Sequence, residues 1–492
     1  MADSALVAGR IRYQNLISKF LHIGFMNGLR PKAVGLTLNS NDHIERLFAR
    51  INYEKQTRVA SDDFKLNQML QFLKQLGDPH LKCPVVHVAG TKGKGSVCAF
   101  AGSILAQAGY KVGIYTSPHL ERINQRIQLD GLEISDQQLN QVLAKLDPVL
   151  RQMDAQTNRD GSKPLTFFEV ITGVAFQFFA DAGADAVVLE VGMGGRLDST
   201  NVCQPEVCVI TNISLDHTRQ LGASTDKIAA EKAGILKPGV PAICGETNEL
   251  PKRVIHDIAH SVGCSLYQLD RDFRIDSSQS DFEYWSQIAA DDEKKISKLQ
   301  PSMAGAHQQT NAALAIAACE ALIEKGWGIS EENVSRGIRG ASLPGRCEII
   351  SGDPTFILDM AHNEASATAL SETLASSVAA FAEAQSRTMI FAASREKDVE
   401  KILSPLLPMF DRVIVTKYQE NPRGRSAQEV LDIAQNLETG SKVQIEIATL
   451  PAEALEKAKR IDSPDHVVCI TGSVFLVAEL RSVLIAKSGI DR

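Results

Sequence analysis

Residues 85–105 read VVHVAGTKGKGSVCAFAGSIL, and positions 90–96 alone hold three glycines and two lysines. Such a run suits neither helix nor strand. The apolar stretch 85–89 before it reads as a buried strand, and 97–108 after it as a helix. A glycine-rich turn between the two aims several backbone N–H groups, and the positive end of the helix, at one point. That geometry suits a phosphate. A tight strand-to-helix turn asks for one or two glycines anyway, but not for Lys94 followed by Gly95-Ser96. The ordinary G-x-x-x-x-G-K-[ST] loop needs glycine at 88, here Val88, and a hydroxyl at 95, here Gly95. The hydroxyl arrives one residue late, at Ser96, which points away from ordinary P-loop GTPases and kinases.

Other chemistry-bearing residues follow later apolar runs. After 112–115 comes TSPHL with the Ser117 hydroxyl; after 186–189 comes EVGMGGRLDSTN, opening with Glu190. After 207–211 comes NISLDHT, with Asp216 and His217. A carboxylate, an imidazole and hydroxyls beside a phosphate loop form a plausible Mg²⁺ shell. By itself, His217 reads better as a satisfied core or loop histidine than as a ligand, and Lys232 in AEKAGIL better as a solvated helix lysine.

The elements that must carry these loops alternate. HIERLFARI and FKLNQMLQFLKQLG read as amphipathic helices, and runs at 85–89, 112–115, 186–191, 207–211 and 240–244 as strands with helices between them. This predicts an α/β fold with a parallel-rich sheet covered on both faces. Residues 155–164 read as a polar surface loop, and 270–298 as irregular strands and turns. After LPGRCEII the rhythm restarts, with strands expected at 356–360, 389–392, 413–416, 443–447 and 467–470. The division expected is an extension over 1–41, a first domain over 42–343 and a smaller α/β domain over 344–492. In such sheets ligands bind beyond the carboxyl ends of the strands, where these loops lie.

At 492 residues the chain is too long for one ordinary core. A hydrophobic content of 44% with 23% charged residues is that of a soluble globular protein. A net charge of −7 without a basic stripe argues against nucleic acid as a partner, so any anion site must be locally positive. Nine scattered cysteines read as free thiols in a reducing cytoplasm. No apolar run reaches the ~18 residues a membrane span needs. The first forty residues are basic and nearly free of acids, as in a transit peptide, but lack a signal-peptide layout. Their role stays open.

The blocks GTKGKGS, TSPHL, TFFE, LEVGMGGRLDSTN, TNISLDHT, EKAGILKPG, HQQTNAALA, LPGR and DMAHN occur in the order seen in the folylpolyglutamate synthase and dihydrofolate synthase family. The chain resembles that family, part of the Mur-ligase superfamily of ATP-dependent amide-forming enzymes, from about residue 42 onward. The resemblance implies a P-loop Mur-ligase-like ATPase domain followed by a Rossmann-like α/β domain. Two departures stand out. Asp359-Met360-Ala361-His362-Asn363-Glu364 replaces D-G-A-H-N-P, and Lys92 stands where asparagine is common.

The resemblance also implies roles. Lys92, Gly93, Lys94, Gly95 and Ser96 match the ATP phosphate loop, with Lys94 on the phosphates. Ser117, Glu190 and His217 match the Mg²⁺ ligands, and Lys232 the lysine that the family carbamylates. Asn311, Arg346 and Asp359 match contacts to the ATP base, phosphates and ribose. Thr166, Phe167, Phe168 and Glu169, with Leu197, Asp198 and Ser199, match the dihydropteroate segments. A looser match falls at Phe64-Lys65-Leu66. His362 and Ser473 are candidates for holding glutamate, with a helix-terminal histidine and a capping serine as the plain alternatives.

The activity so implied is ligation of L-glutamate to dihydropteroate and to reduced folates through an acyl phosphate, by a cytoplasmic monomer. The catalytic set is Lys94, Lys232, His217 and Arg346. Folylpolyglutamate synthesis alone is the alternative. A cell-wall ligase would carry a sugar-nucleotide domain before the phosphate loop. A nucleotide-binding scaffold without turnover would be expected to lack Glu190, His217 or Lys232, and all three are present.

Overall fold

The computed structural model describes residues 42–52, 66–160, 163–278, 281–288, 293–437, 443–460 and 465–488. The extension 1–41 and Phe64-Lys65 lie outside them. Among the described residues seventeen strands form three sheets. The first sheet contains β1 (Val85–Ala89), β2 (Val112–Tyr115), β3 (Ile127–Leu129), β4 (Leu132–Glu133), β5 (Ala186–Glu190), β6 (Pro205–Ile210), β7 (Ala242–Cys244) and β8 (Leu266–Gln268). Its order is β4-β3-β2-β5-β1-β6-β7-β8, parallel except at β3 and β4. Every residue of β1 and β5 is buried, as expected for central parallel strands covered on both faces. His87, inside β1, meets this environment by bonding the Thr200 hydroxyl at 2.9 Å.

Helices Lys94–Gln107 and Ala306–Ile323 pack in one of the cores beside this sheet. Both are apolar nearly all round, and the alanines of the second allow close approach. The helix after the glycine-rich turn begins at Lys94, three residues before the expected start. Gly93 takes the left-handed conformation at φ 82° and turns the chain directly into the first turn. Helix Asp136–Asp160 continues through much of the segment expected to be a loop at 155–164. Leu150 and Met153 are buried, holding that helix on the core, while its polar residues only coat the outer face.

The stretch expected to be irregular holds an antiparallel sheet of β9 (Phe273–Ser277), β10 (Phe282–Ser286) and β11 (Lys294–Leu299). The third sheet contains β12 (Glu348–Ile350), β13 (Thr355–Leu358), β14 (Ser386–Phe391), β15 (Arg412–Val415), β16 (Gln444–Ile447) and β17 (His466–Thr471). Its order is β12-β13-β17-β14-β15-β16, with only β12 antiparallel. Among the described residues no helix is long and apolar enough to cross a membrane.

Candidate active site

The loop after β1 is held from outside. Thr91 N donates to Asn212 O at 2.8 Å. Lys92 N donates to Asn212 Oδ1 at 3.0 Å, while Asn212 Nδ2 and Thr211 Oγ1 both donate to Lys92 O, at 3.3 and 2.6 Å. The peptide of Lys92 is thereby fixed on both its donor and its acceptor side. Neither Thr211 nor Asn212 stood out in the sequence. Their signals are position, immediately after a buried strand neighbouring β1, and their place at the head of the TNISLDHT block. On the other flank, a Cβ on Gly93 would lie 2.3 Å from Asn311 Oδ1, so only glycine fits against that side chain. Asn311 is buried and donates to Gln308 Oε1 at 3.0 Å.

The carboxyl ends of β5 and β2 bring Glu190 and Ser117 to this loop. Glu190 is 5% exposed; one oxygen accepts from Ser117 N at 3.0 Å and the other lies 3.9 Å from Lys94 Nζ. Burial raises its pKa, opposed first by Lys94 and then by the Ser117 N–H. Ser96, in the first helical turn, is buried. Beyond β6, His217 adopts φ 48°, and its N–H donates to Asp216 Oδ1 at 2.9 Å. The His217 side chain is 54% exposed; partial desolvation lowers its pKa, and Asp216 opposes this. Asp216 lies 3.7 Å from Lys92 Nζ.

Lys232, on helix Thr225–Ala233, is 5% exposed and donates to Gly90 O at 2.8 Å. Burial first, and then the Lys94 charge, push its pKa down to about 7. It is not a solvated helix lysine. A cavity of about 30 Å³ opens beside it, lined by Thr91, Lys94, Gly192, Met193, Asp216 and His217 among others.

The β12–β17 sheet contributes Arg346, Asp359, His362 and Ser473. Arg346 is exposed and close enough to lower the pKa of both Glu190 and Lys92. Asp359 follows β13 with both oxygens engaged, one by Cys347 N at 3.0 Å and the other by Ala361 N at 2.8 Å. His362 bonds Met360 O through Nδ1 at 2.8 Å, which fixes that nitrogen as the protonated one and leaves Nε2 as acceptor. Burial takes its pKa down to about 4, with the Lys397, Lys92 and Arg346 charges adding to the effect. Lys397, absent from the sequence-based set, follows the carboxyl end of β14. Ser473 is 3% exposed and accepts from Phe475 N at 3.2 Å.

The two segments expected from the sequence to bind dihydropteroate divide between structure and surface. Thr166 caps helix Phe167–Ala182, exchanging bonds with Glu169: Thr166 N and Oγ1 each reach Glu169 Oε2 at 2.7 Å. Phe167 is 1% exposed, stacked on Phe48 and covered by the Arg126 guanidinium. The next residue, Phe168, is only half-buried. Its ring lies over Gly192, where a Cβ would meet Cζ at 2.4 Å, and tilts against Tyr115. Asp198 is buried, bonding Met193 N at 2.9 Å and Thr200 N at 3.0 Å, so it braces the Gly192–Gly194 turn. Leu197 and Ser199 flank it, half-buried.

Two family models match the chain: the Mur ligase middle domain over residues 88–319 and the dihydrofolate synthetase C-terminal domain over residues 348–483. The dihydrofolate synthase/folylpolyglutamate synthase of Bacillus subtilis is 33% identical over 85% of this chain and 94% of its own. The enzyme of the same name from Escherichia coli is 33% identical over 82% of this chain and 87% of its own. Among solved structures, Mycobacterium tuberculosis folylpolyglutamate synthase complexed with ADP superposes with a TM-score of 0.78 at 30% identity, covering 90% of this chain and 98% of its own. E. coli FolC in complex with DHPP and ADP gives 0.76 at 30% identity, covering 92% and 100%.

Proposed function

The chain belongs to the dihydrofolate synthase/folylpolyglutamate synthase family and is an ATP-dependent, ADP-forming ligase that adds L-glutamate to dihydropteroate and to reduced folates; we propose the following division of labour within it. The observation that carries the proposal is the junction of Lys94, Glu190 and Ser117 at the carboxyl ends of adjacent strands, with Arg346 within electrostatic reach.

A carboxylate is a poor acyl donor and must first be activated. In the proposed sequence the pteroate or folate carboxylate attacks the γ-phosphate of ATP, giving an acyl phosphate and ADP. The neutral amine of L-glutamate then attacks the acyl carbon; the C–O bond to phosphate breaks, and the amine proton passes to solvent. Lys94, the first-turn amides and Arg346 spread the charge of the transferring group, so positioning and electrostatics carry the catalysis. Asn311 borders the phosphate loop at Gly93, and Asp359 shapes the turn that presents Arg346 and His362. We assign His362 Nε2 and Ser473 to the incoming glutamate, and the half-buried Phe168 face beside Gly192 to the pterin.

Glu190, His217 and the Ser117 and Ser96 hydroxyls are the donors we assign to Mg²⁺. The fit is chemical. Among the described residues no group of three or more His, Cys, Asp or Glu side chains forms a closed cage, and Mg²⁺ held through one carboxylate and nucleotide phosphates needs none. When bound, Mg²⁺ supplies charge neutralisation on the phosphates. Lys232 is the group we assign to carbamylation, because a neutral amine beside a small cavity is what addition to CO₂ requires.

We place the boundary between the ATP- and pterin-binding part, 42–343, and the C-terminal part, 344–492, at Leu343-Pro344. The two family matches and the separate sheets on either side support that division. All nine cysteines are free thiols, eight of them buried, which supports a reducing, cytoplasmic setting. We take the working unit to be the monomer.

Mass spectrometry of products from Mg·ATP, L-glutamate and either dihydropteroate or tetrahydrofolate tests the function. The expected result is a one-glutamate adduct from the first and a ladder from the second. An adduct from tetrahydrofolate alone would reduce the activity to folylpolyglutamate synthesis, and no adduct from either would overturn the ligase.

A further inference from the structure

Arg481 lies on the last described helix, Val474–Ser488, which follows Ser473 directly. Its Nη1 donates to Glu121 Oε1 at 2.9 Å. Its Nε and Nη2 form a fork on Glu348, with distances of 2.7 to 3.0 Å. The side chains of Arg481 and Glu121 are only 12% and 7% exposed, so this is not a solvated surface pair. A guanidinium suits the role because it is planar, permanently charged and bidentate.

Both carboxylates lead to the site. Glu348 Oε2 also accepts from Gly345 N at 2.8 Å, which fixes the turn immediately before Arg346. Glu121 ends the TSPHLE segment, whose Ser117 N–H bonds Glu190. The residue before it, Leu120, packs into the core beside β13 and β17 rather than into its own sheet. The segment bearing Ser117 and the turn bearing Arg346 therefore meet at one largely shielded guanidinium. We infer that Arg481 is a positioning residue that holds the Ser117 segment and the Arg346 turn in register across the two sheets, so that both face one nucleotide.

This rests on the ligase reading of the site, and the test separates the two. Wild type is compared with Arg481→Met, Arg481→Lys, Glu121→Gln and the double variant Glu121→Gln/Arg481→Met. Hydrogen exchange is followed on peptides covering 117–121 and 345–348, alongside ADP formation with Mg·ATP, dihydropteroate and L-glutamate. The expectation for Arg481→Met is exchange about tenfold faster in both segments and kcat lower by about tenfold or more, with partial rescue by Arg481→Lys. The double variant should be no worse than Arg481→Met, because the two side chains act as one unit. Glu121→Gln, which keeps shape and volume, carries the test if Arg481→Met does not fold. Faster exchange in one segment only, or spread evenly over the chain, overturns the inference, as does additivity of the two substitutions. Wild-type turnover tests the ligase separately, and the exchange comparison does not depend on it.

Discussion

Lys232 Nζ donates a 2.8 Å hydrogen bond to the carbonyl oxygen of Gly90, 142 residues earlier, at the start of the phosphate loop. One buried amine thus joins helix Thr225–Ala233 to the turn that β1 delivers. Its pKa of about 7 makes much of it uncharged near neutrality, and only an uncharged amine adds to CO₂. With ¹³C-bicarbonate the wild-type protein should show a carbamate resonance that Lys232→Ala lacks. Turnover of that variant should fall by about 10²-fold or more.

The same amine sets a stability dependence in CO₂-free buffer. Its folded pKa of about 7 lies below the ordinary 10.5, so the folded protein binds fewer protons between those values. Stability should rise with pH across that window, and the cost is fully present below about pH 7. Denaturant midpoints for Lys232→Met should lack that rise.

Lys94 lies 3.9 Å from Glu190 with its side chain 17% exposed, at the first turn of its helix. Lys94→Ala should lower kcat by about 10³-fold or more with circular dichroism and melting unchanged within a few degrees. Wild-type turnover in this variant would remove the phosphate reading of the loop.

Neighbouring phenylalanines should behave oppositely. Phe167 is core, so Phe167→Ala should cost about 3–5 kcal/mol of unfolding free energy. Phe168 is half-buried over Gly192, so Phe168→Ala should raise KM for dihydropteroate about tenfold and leave KM for ATP unchanged. Equal effects on both Michaelis constants would sink the assignment of Phe168 to the pterin.

His362, with a pKa of about 4, remains a neutral acceptor throughout the neutral range. His362→Ala should raise KM for L-glutamate about tenfold, a lost hydrogen bond to a charged group. The wild-type KM should show no limb near pH 6.5 that His362→Gln abolishes. Its folded pKa lies below the ordinary 6.5, so stability should fall as pH drops from 6.5 to about 4, and His362→Gln should flatten that fall.

Residue type and spacing in the sequence determined the phosphate loop, the alternation of strands and helices and the residues that end each strand. Those features are local: hydrophobic period, glycine content and position after a buried run suffice to read them. Lys232 shows where that reading stops. Its helix looks solvated in sequence, and only packing beneath the phosphate loop buries the amine and lowers its pKa. The TFFE block shows it again, since tertiary contacts alone divide Phe167, spent on Phe48 and Arg126, from Phe168, left beside Gly192. Asn212 and Arg481 are ordinary polar residues along the chain. Folding decides their importance, because a hydrogen bond spanning 120 or 360 residues leaves no periodicity in the sequence to reveal it.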